Sequence, residues 1–245
     1  MFQPTVHKRN LCLSDIHGCF DLLKELIENV IRFDPAKDRL IFLGDYIDLS
    51  VNSMKVVLCL QELKERYPNN IILLLGNHEE MAYRFLIQPE RDLAAKKEYG
   101  EGWFKYGGRE TLKSFGGERL AKKILVPFIG SLMPYYETKS HIFMHGGVPA
   151  GVKSLRSVSV HDLIWNRGFD YQGPKTLIVG HRPHRDVKKV RNMVCVDTGA
   201  YWYGKLSAYD TLNDMVYEVV KRPYGKADAK KSVYGRREIS YSKMT

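Results

Sequence analysis

Asp15, His17, Asp45, Asn77, His78, His145 and His181 have the donor types of a divalent-cation centre, and each stands at or just beyond the end of an apolar run. Residues 10–13 lead into Ser14-Asp15-Ile16-His17-Gly18, residues 39–43 into Gly44-Asp45-Tyr46-Ile47-Asp48, and residues 71–75 into Gly76-Asn77-His78-Glu79. Two later runs repeat the pattern. Ile142-Phe143-Met144 opens into His145-Gly146-Gly147, and Leu177-Ile178-Val179 opens into Gly180-His181. Hard oxygen donors mixed with imidazoles suit Mn, Fe or Zn better than Mg, which prefers oxygen and retained water. Two such ions about 3.5–4 Å apart bind phosphoryl oxygens and make hydroxide from water near neutral pH, which is hydrolytic chemistry.

The elements that must position these groups follow from the same runs. A short apolar stretch ending in Gly and polar residues is a buried strand opening into a loop. Ligands of α/β sheets gather beyond the carboxyl ends of the strands, so these loops are expected to converge. Residues 20–31 carry a helical stripe through Phe20, Leu23, Ile27 and Ile31, and residues 54–63 repeat it before Tyr67-Pro68 stops the helix. Residues 88–117 are charged and glycine-containing, with Trp103, Phe104 and Gly107-Gly108-Arg109; they read as a mostly helical insertion shaping access to the site. Beyond residues 126–132 strands are expected to predominate, with returns near Thr138-Lys139, Asn192 and Asn213-Asp214.

Together these motifs resemble the calcineurin-like metallophosphoesterases of the phosphoprotein phosphatase type, in particular the small bacterial and phage protein phosphatases. Leu163-Ile164-Trp165-Asn166-Arg167, Gly180-His181-Arg182-Pro183 and Val196-Asp197-Thr198-Gly199-Ala200 extend the likeness, which covers residues 10–210. The resemblance implies an α/β fold, a four-layer α/β/β/α sandwich. It also implies two metals, with Mn expected and Fe or Zn as alternatives. Asp15 and His17 would hold one ion, Asn77, His145 and His181 the other, and Asp45 would bridge them. Two carboxylates against four metal charges leave an excess of about +2 for a dianionic phosphate to neutralise. His78 is the implied general acid, with Asp48 keeping it protonated, while Asn77 and Arg167 face the substrate.

One position departs from that pattern. The family's usual Asp-Arg-Gly is here Asp48-Leu49-Ser50, so one phosphate-gripping Arg is missing. Leucine cannot donate a bidentate pair to phosphate. Arg109 is a candidate replacement, or a surface residue of the insertion. The leading expectation is a serine/threonine protein phosphatase. The alternatives are a hydrolase of dinucleoside polyphosphates or other nucleotide phosphoanhydrides, and a non-catalytic binding protein that kept the fold. Glu79 is explained by its place at a helix N-terminus, and Asp197 by structural hydrogen bonding. His7, His141 and His161 are expected in structural or surface roles, with His184 a candidate for the pocket rim.

Composition sets the bounds. The 245 residues are 44% hydrophobic with net charge +10, enough for one domain over residues 1–220. Of that charge +6 falls in residues 221–245, a basic tail expected to be solvated, to dock an anionic partner, or, given the apolar content of residues 233–241, to add a strand or helix. Arg182, Arg185, Lys188, Lys189 and Arg191 form a second basic cluster, either a solvated hairpin rim or a collar attracting phosphorylated substrates. No apolar run approaches the roughly 20 residues of a membrane span, and the first ten residues lack a signal-peptide core. Cys12, Cys59 and Cys195 lie in apolar stretches and are expected as buried thiols in a reducing cytoplasm. Phosphorylated protein or nucleotide is the expected partner. Physiological substrate and oligomeric state leave no mark in the sequence.

Overall fold

Alternation along three parallel strands sets the architecture. In β1 (Arg9–Leu13) and β2 (Asp38–Phe42), Leu11, Leu13, Leu40 and Phe42 point to a helix-covered face. Cys12, Ile41 and Leu43 point the other way, into a second core. Successive residues of a strand face opposite sides, and β3 (Ile71–Leu73) continues the split, with Ile71 and Leu73 against Ile72 and Leu74. The computed structural model describes residues 9–89, 91–152 and 154–221 and the backbone of 233–238.

The helices on that first face are α1 (Phe20–Glu25), α2 (Ser53–Arg66), α3 (Asn77–Leu86), α4 (Leu93–Lys105), α5 (Gly108–Ser114) and α6 (Glu118–Gly130). The expected helix over 20–31 is α-helical only to Glu25. It continues to Ile31 as a π-helix in which Leu26, Ile27, Val30 and Ile31 are all buried, and ends at Arg32 with φ 54°. The wider turn puts four of six side chains into the core. Helical structure also extends past the expected end of the insertion, through α6 with Pro127 inside it.

The remaining elements build the second sheet and finish the first. β4 (Tyr135–Glu137), β5 (His141–Met144), α7 (Val160–Trp165), β6 (Thr176–Val179), β7 (Lys188–Val190) and β8 (Met193–Cys195) come first. They are followed by α8 (Ala200–Tyr203), β9 (Lys205–Asp210), β10 (Met215–Val220) and β11 (Val233–Glu238). One sheet runs β11-β10-β9-β1-β2-β3 and the other β4-β5-β6-β8-β7. Phe143, Ile178, Val194 and Val196 of the second meet Cys12, Ile41 and Ile72 of the first. The outer layer on the second sheet is thin, with Leu163 of α7 packing beside Ile142, Leu177 and Met193. This is the four-layer sandwich expected, and the three returns fall where the sequence places them.

Of the alternatives for the basic tail, Val233–Glu238 takes that of an added strand, paired antiparallel at the sheet edge with β10, Met215 opposite Glu238. The rest of the tail, residues 222–232 and 239–245, and His7 lie outside the described residues. Cys12 and Cys195 are buried as expected, whereas Cys59 is half-buried on α2.

Candidate metal centre

Parallel register brings the expected loops to one edge. Leu13 sits opposite Phe42, Phe42 opposite Leu73, and Phe143 opposite Ile178, so all five runs open on the same side. The sheets meet closely at Gly180, where a Cβ would lie 1.9 Å from Ser14 Oγ and 2.4 Å from Asp15 Oδ2. Asp15, His17, Asp45, Asp48, Leu49 and His181 all hold positive φ, between 44° and 72°. Left-handed backbone costs non-glycine residues on the order of 1–3 kcal/mol each and clusters at functional sites.

Two donor groups share one carboxylate. His17, Asp45 and His78 form the first, Asp45, His145 and His181 the second, each with ligand atoms within 4.8 Å of one another and all buried. His145 Nε2 lies 2.9 Å from Asn77 Oδ1, 3.1 Å from His181 Nδ1 and 3.3 Å from Asp45 Oδ2. His145 Nδ1 donates to the Leu43 carbonyl at 3.1 Å, and His17 Nδ1 to that of Ile47 at 2.9 Å. Those carbonyls orient both rings and leave each Nε2 facing the centre, as in carbonyl-braced metal histidines. A single Nε2 proton could serve one of the three partners around His145, whereas a cation serves them all. The donor set therefore fits divalent metal.

Asp15 stands apart from both groups. Its carboxylate accepts from Ser14 Oγ and from the His181 N–H at 3.2 and 3.0 Å. Arg167 Nε donates to His181 Nε2 at 2.8 Å, so the expected phosphate-binding Arg sits at the centre's rim. Arg182, expected on a solvated rim, is instead 6% exposed. Its Nη2 donates to the carbonyls of Asn166 and Gly168 at 2.9 and 3.0 Å, on either side of Arg167. Arg109 of α5 stacks on Phe104 of α4 at 4.5 Å.

His78 has the environment of a charged donor. Its Nδ1 lies 2.7 Å from Asp48 Oδ2 and its Nε2 3.8 Å from Asp45 Oδ2. Burial disfavours charge on the ring, but Asp45 and the Asp48 hydrogen bond outweigh it and push His78 up to about 9. Burial and His78 push His17 down, and burial with His145 pushes His181 down to about 2. Against its own burial, Asp45 is held well below the usual range by His145 and His78.

Several buttresses escape sequence reading. Asp48 is fully buried and accepts from Trp103 Nε1 at 2.9 Å and from Thr111 Oγ1 at 2.6 Å. Trp103 lies on α4 and Thr111 on α5, so these two helices hold the partner of His78, and Tyr106 places its ring 6.1 Å from that of His78. A lone Trp and a Thr in a polar helical stretch gave no signal of this. Glu79 does more than begin a helix: its carboxylate accepts from the backbone N–H of Gly76, Asp45, Tyr46 and Ile47. Those donors favour the anion, while burial and Asp45 push it up to about 7. The Glu at the third helical position was the available cue. Asp197 accepts from Gly199 N–H at 2.9 Å, the structural role expected; burial and Asp15 raise its pKa well above the usual range.

Comparison with known proteins decides the family. The model of the calcineurin-like phosphoesterases matches residues 8–220. The chain is a calcineurin-like phosphoesterase. It is 27% identical to serine/threonine-protein phosphatase 1 of Salmonella typhimurium over 207 residues, 80% of this chain and 88% of that protein. Its fold matches a solved "putative diadenosine tetraphosphatase" with TM-score 0.63 at 16% identity, covering 95% of this chain and 96% of that one. A Saccharomyces cerevisiae protein serine/threonine phosphatase superposes with TM-score 0.55 at 18% identity, covering 98% and 82%. Membership of this family makes the chain a phosphoric ester hydrolase. No helix among the described residues is long and apolar enough to cross a membrane.

Proposed function

We propose that this phosphoesterase removes phosphate from serine and threonine side chains of proteins. The observation that carries the reading is Asp45, shared by two buried donor groups, with His78 beside it on Asp48. On the resemblance, Asp15, which lies outside both donor groups, would join His17 and Asp45 on one divalent ion, and Asp45, Asn77, His145 and His181 would hold the second. When bound, such a pair supplies Lewis acidity toward phosphoryl oxygen and a more acidic water. Arg167 orients the phosphate by charge-assisted hydrogen bonds. Asp48 holds His78 by Nδ1, leaving Nε2 to give its proton to the leaving alkoxide as the P–O bond breaks. A serine alkoxide is a poor leaving group, so this proton matters most for protein substrates.

Leu49 favours a second reading, hydrolysis of nucleotide phosphoanhydrides, because a monoester loses one cationic grip there. The separating experiment supplies Mn and compares a phosphoserine peptide, 4-nitrophenyl phosphate and diadenosine tetraphosphate. The protein-phosphatase reading expects the highest kcat/KM on the peptide. A diadenosine tetraphosphate value exceeding it tenfold would transfer the conclusion to the second reading.

A further inference from the structure

A groove of about 750 Å³ opens beside the candidate centre, between the loop after β2 and α8. Its near wall holds Gly18 and Leu49, the residues that directly follow His17 and Asp48. Its far wall is aromatic. Tyr201, Trp202 and Tyr203 are 43, 62 and 39% exposed, and Val51 across the groove is 51% exposed. Three neighbouring aromatic side chains left in solvent beside an apolar wall are unusual on a monomer's surface and mark contact sites. The aromatics are also mutually braced. Tyr201 and Trp202 meet edge to face at 5.2 Å, and the Arg185 guanidinium lies over Tyr203 at 5.1 Å. Arg185 forms no ion pair among the described residues, so its charge is open to a ligand.

We propose that this groove is a substrate-docking subsite reading the polypeptide next to the phosphorylated residue. It would take a large apolar side chain against Trp202 and Leu49, and an acidic neighbour at Arg185. The inference rests on the protein-phosphatase reading. Continuity argues for substrate as the occupant: anything lying between Gly18 and Trp202 abuts residues adjoining His17 and Asp48. Charge agrees, because Arg185 and Lys221 outnumber Asp21 among the charged residues lining the groove. Leu49 then has a positive role. It extends the apolar wall of the groove up to the centre.

The test compares phosphoserine peptides of one length that carry Leu or Gly, and Glu or Gln, near the phosphoserine. The native enzyme should favour Leu over Gly by at least tenfold in kcat/KM. Trp202→Ala should shrink that preference to under threefold, and Trp202→Phe should restore most of it. Arg185→Ala should abolish the preference for Glu over Gln while keeping that for Leu. Metal content and turnover of 4-nitrophenyl phosphate report separately on the centre and should stay within twofold. An undiminished Leu preference in Trp202→Ala overturns the proposal. So does a Trp202→Ala loss confined to diadenosine tetraphosphate, which would make the groove a nucleobase platform. A native enzyme that cleaves 4-nitrophenyl phosphate but no phosphopeptide defeats the protein-phosphatase reading itself, and the docking proposal with it.

Discussion

His78 Nδ1 and Asp48 Oδ2 stand 2.7 Å apart, and the same carboxylate is clamped by Trp103 and Thr111 from outside the sheet edge. His78 is thus tied through one buried carboxylate to α4 and α5. If His78 is the proposed proton donor, its role should separate from that of Asp45.

His78→Asn should lower kcat by about 10²–10⁴-fold, the usual cost of losing a positioned acid, with metal content kept. Asp45→Asn should lower activity and metal content together, because Asp45 belongs to both donor groups. Metal analysis beside single-turnover rates checks the division. Equal metal loss in both variants would make His78 a ligand instead.

Trp103→Phe removes one donor to a fully buried carboxylate. An unsatisfied buried partner costs about 1–3 kcal/mol, so chemical denaturation should show a loss of that order. Turnover of substrates with poor leaving groups should fall more than that of 4-nitrophenyl phosphate. Uniform loss across substrates would separate Trp103 from the acid.

Stability of the metal-stripped protein should depend on pH through His78. Its folded pKa of about 9 exceeds the ordinary 6.5, so the charged ring stabilises fully below about 6.5 and the contribution fades as pH rises through about 9. Melting temperature measured from pH 6 to 10 with chelator present should fall across that window. His78→Gln should flatten this part of the slope.

Gly107→Ala should be strongly damaging. Gly107 has φ 99°, and a Cβ there would lie 2.4 Å from the Leu49 backbone N. The clash falls on backbone next to Asp48, so both melting temperature and kcat should drop. A variant with native stability and rate would show the contact to be soft.

Stripped of metal, the protein should lose activity and regain it with Mn more fully than with Mg, given its imidazole donors. Activity persisting in chelator would defeat the two-metal assignment.

Much of the centre was legible because its donors sit at strand ends, where hydrophobic runs mark the strands and Gly marks the exits. His17, Asp45, His78, His145 and His181, which the fold gathers into two donor groups around Asp45, all stand at such exits. Their supports were not legible in that way. Trp103 and Thr111 lie more than fifty residues from Asp48, and no local pattern announces a bond across the fold. Arg182 read as a surface cation because charge in a loop is normally solvated; its burial depends on the Asn166–Gly168 carbonyls, which only the folded chain brings near. The π-helical stretch before Arg32 was invisible for a related reason, since apolar spacing alone does not distinguish a widened turn from an ordinary helix.

The seating of Gly107 on the Leu49 backbone, with Trp103 and Thr111 on Asp48, bears on which parts of this chain can be exchanged. A segment held only by its ends could be swapped like a cassette. The stretch from α4 to α5 is instead keyed to the loop after β2 by these contacts. A chimera carrying a foreign segment there would arrive with its lock and without its key.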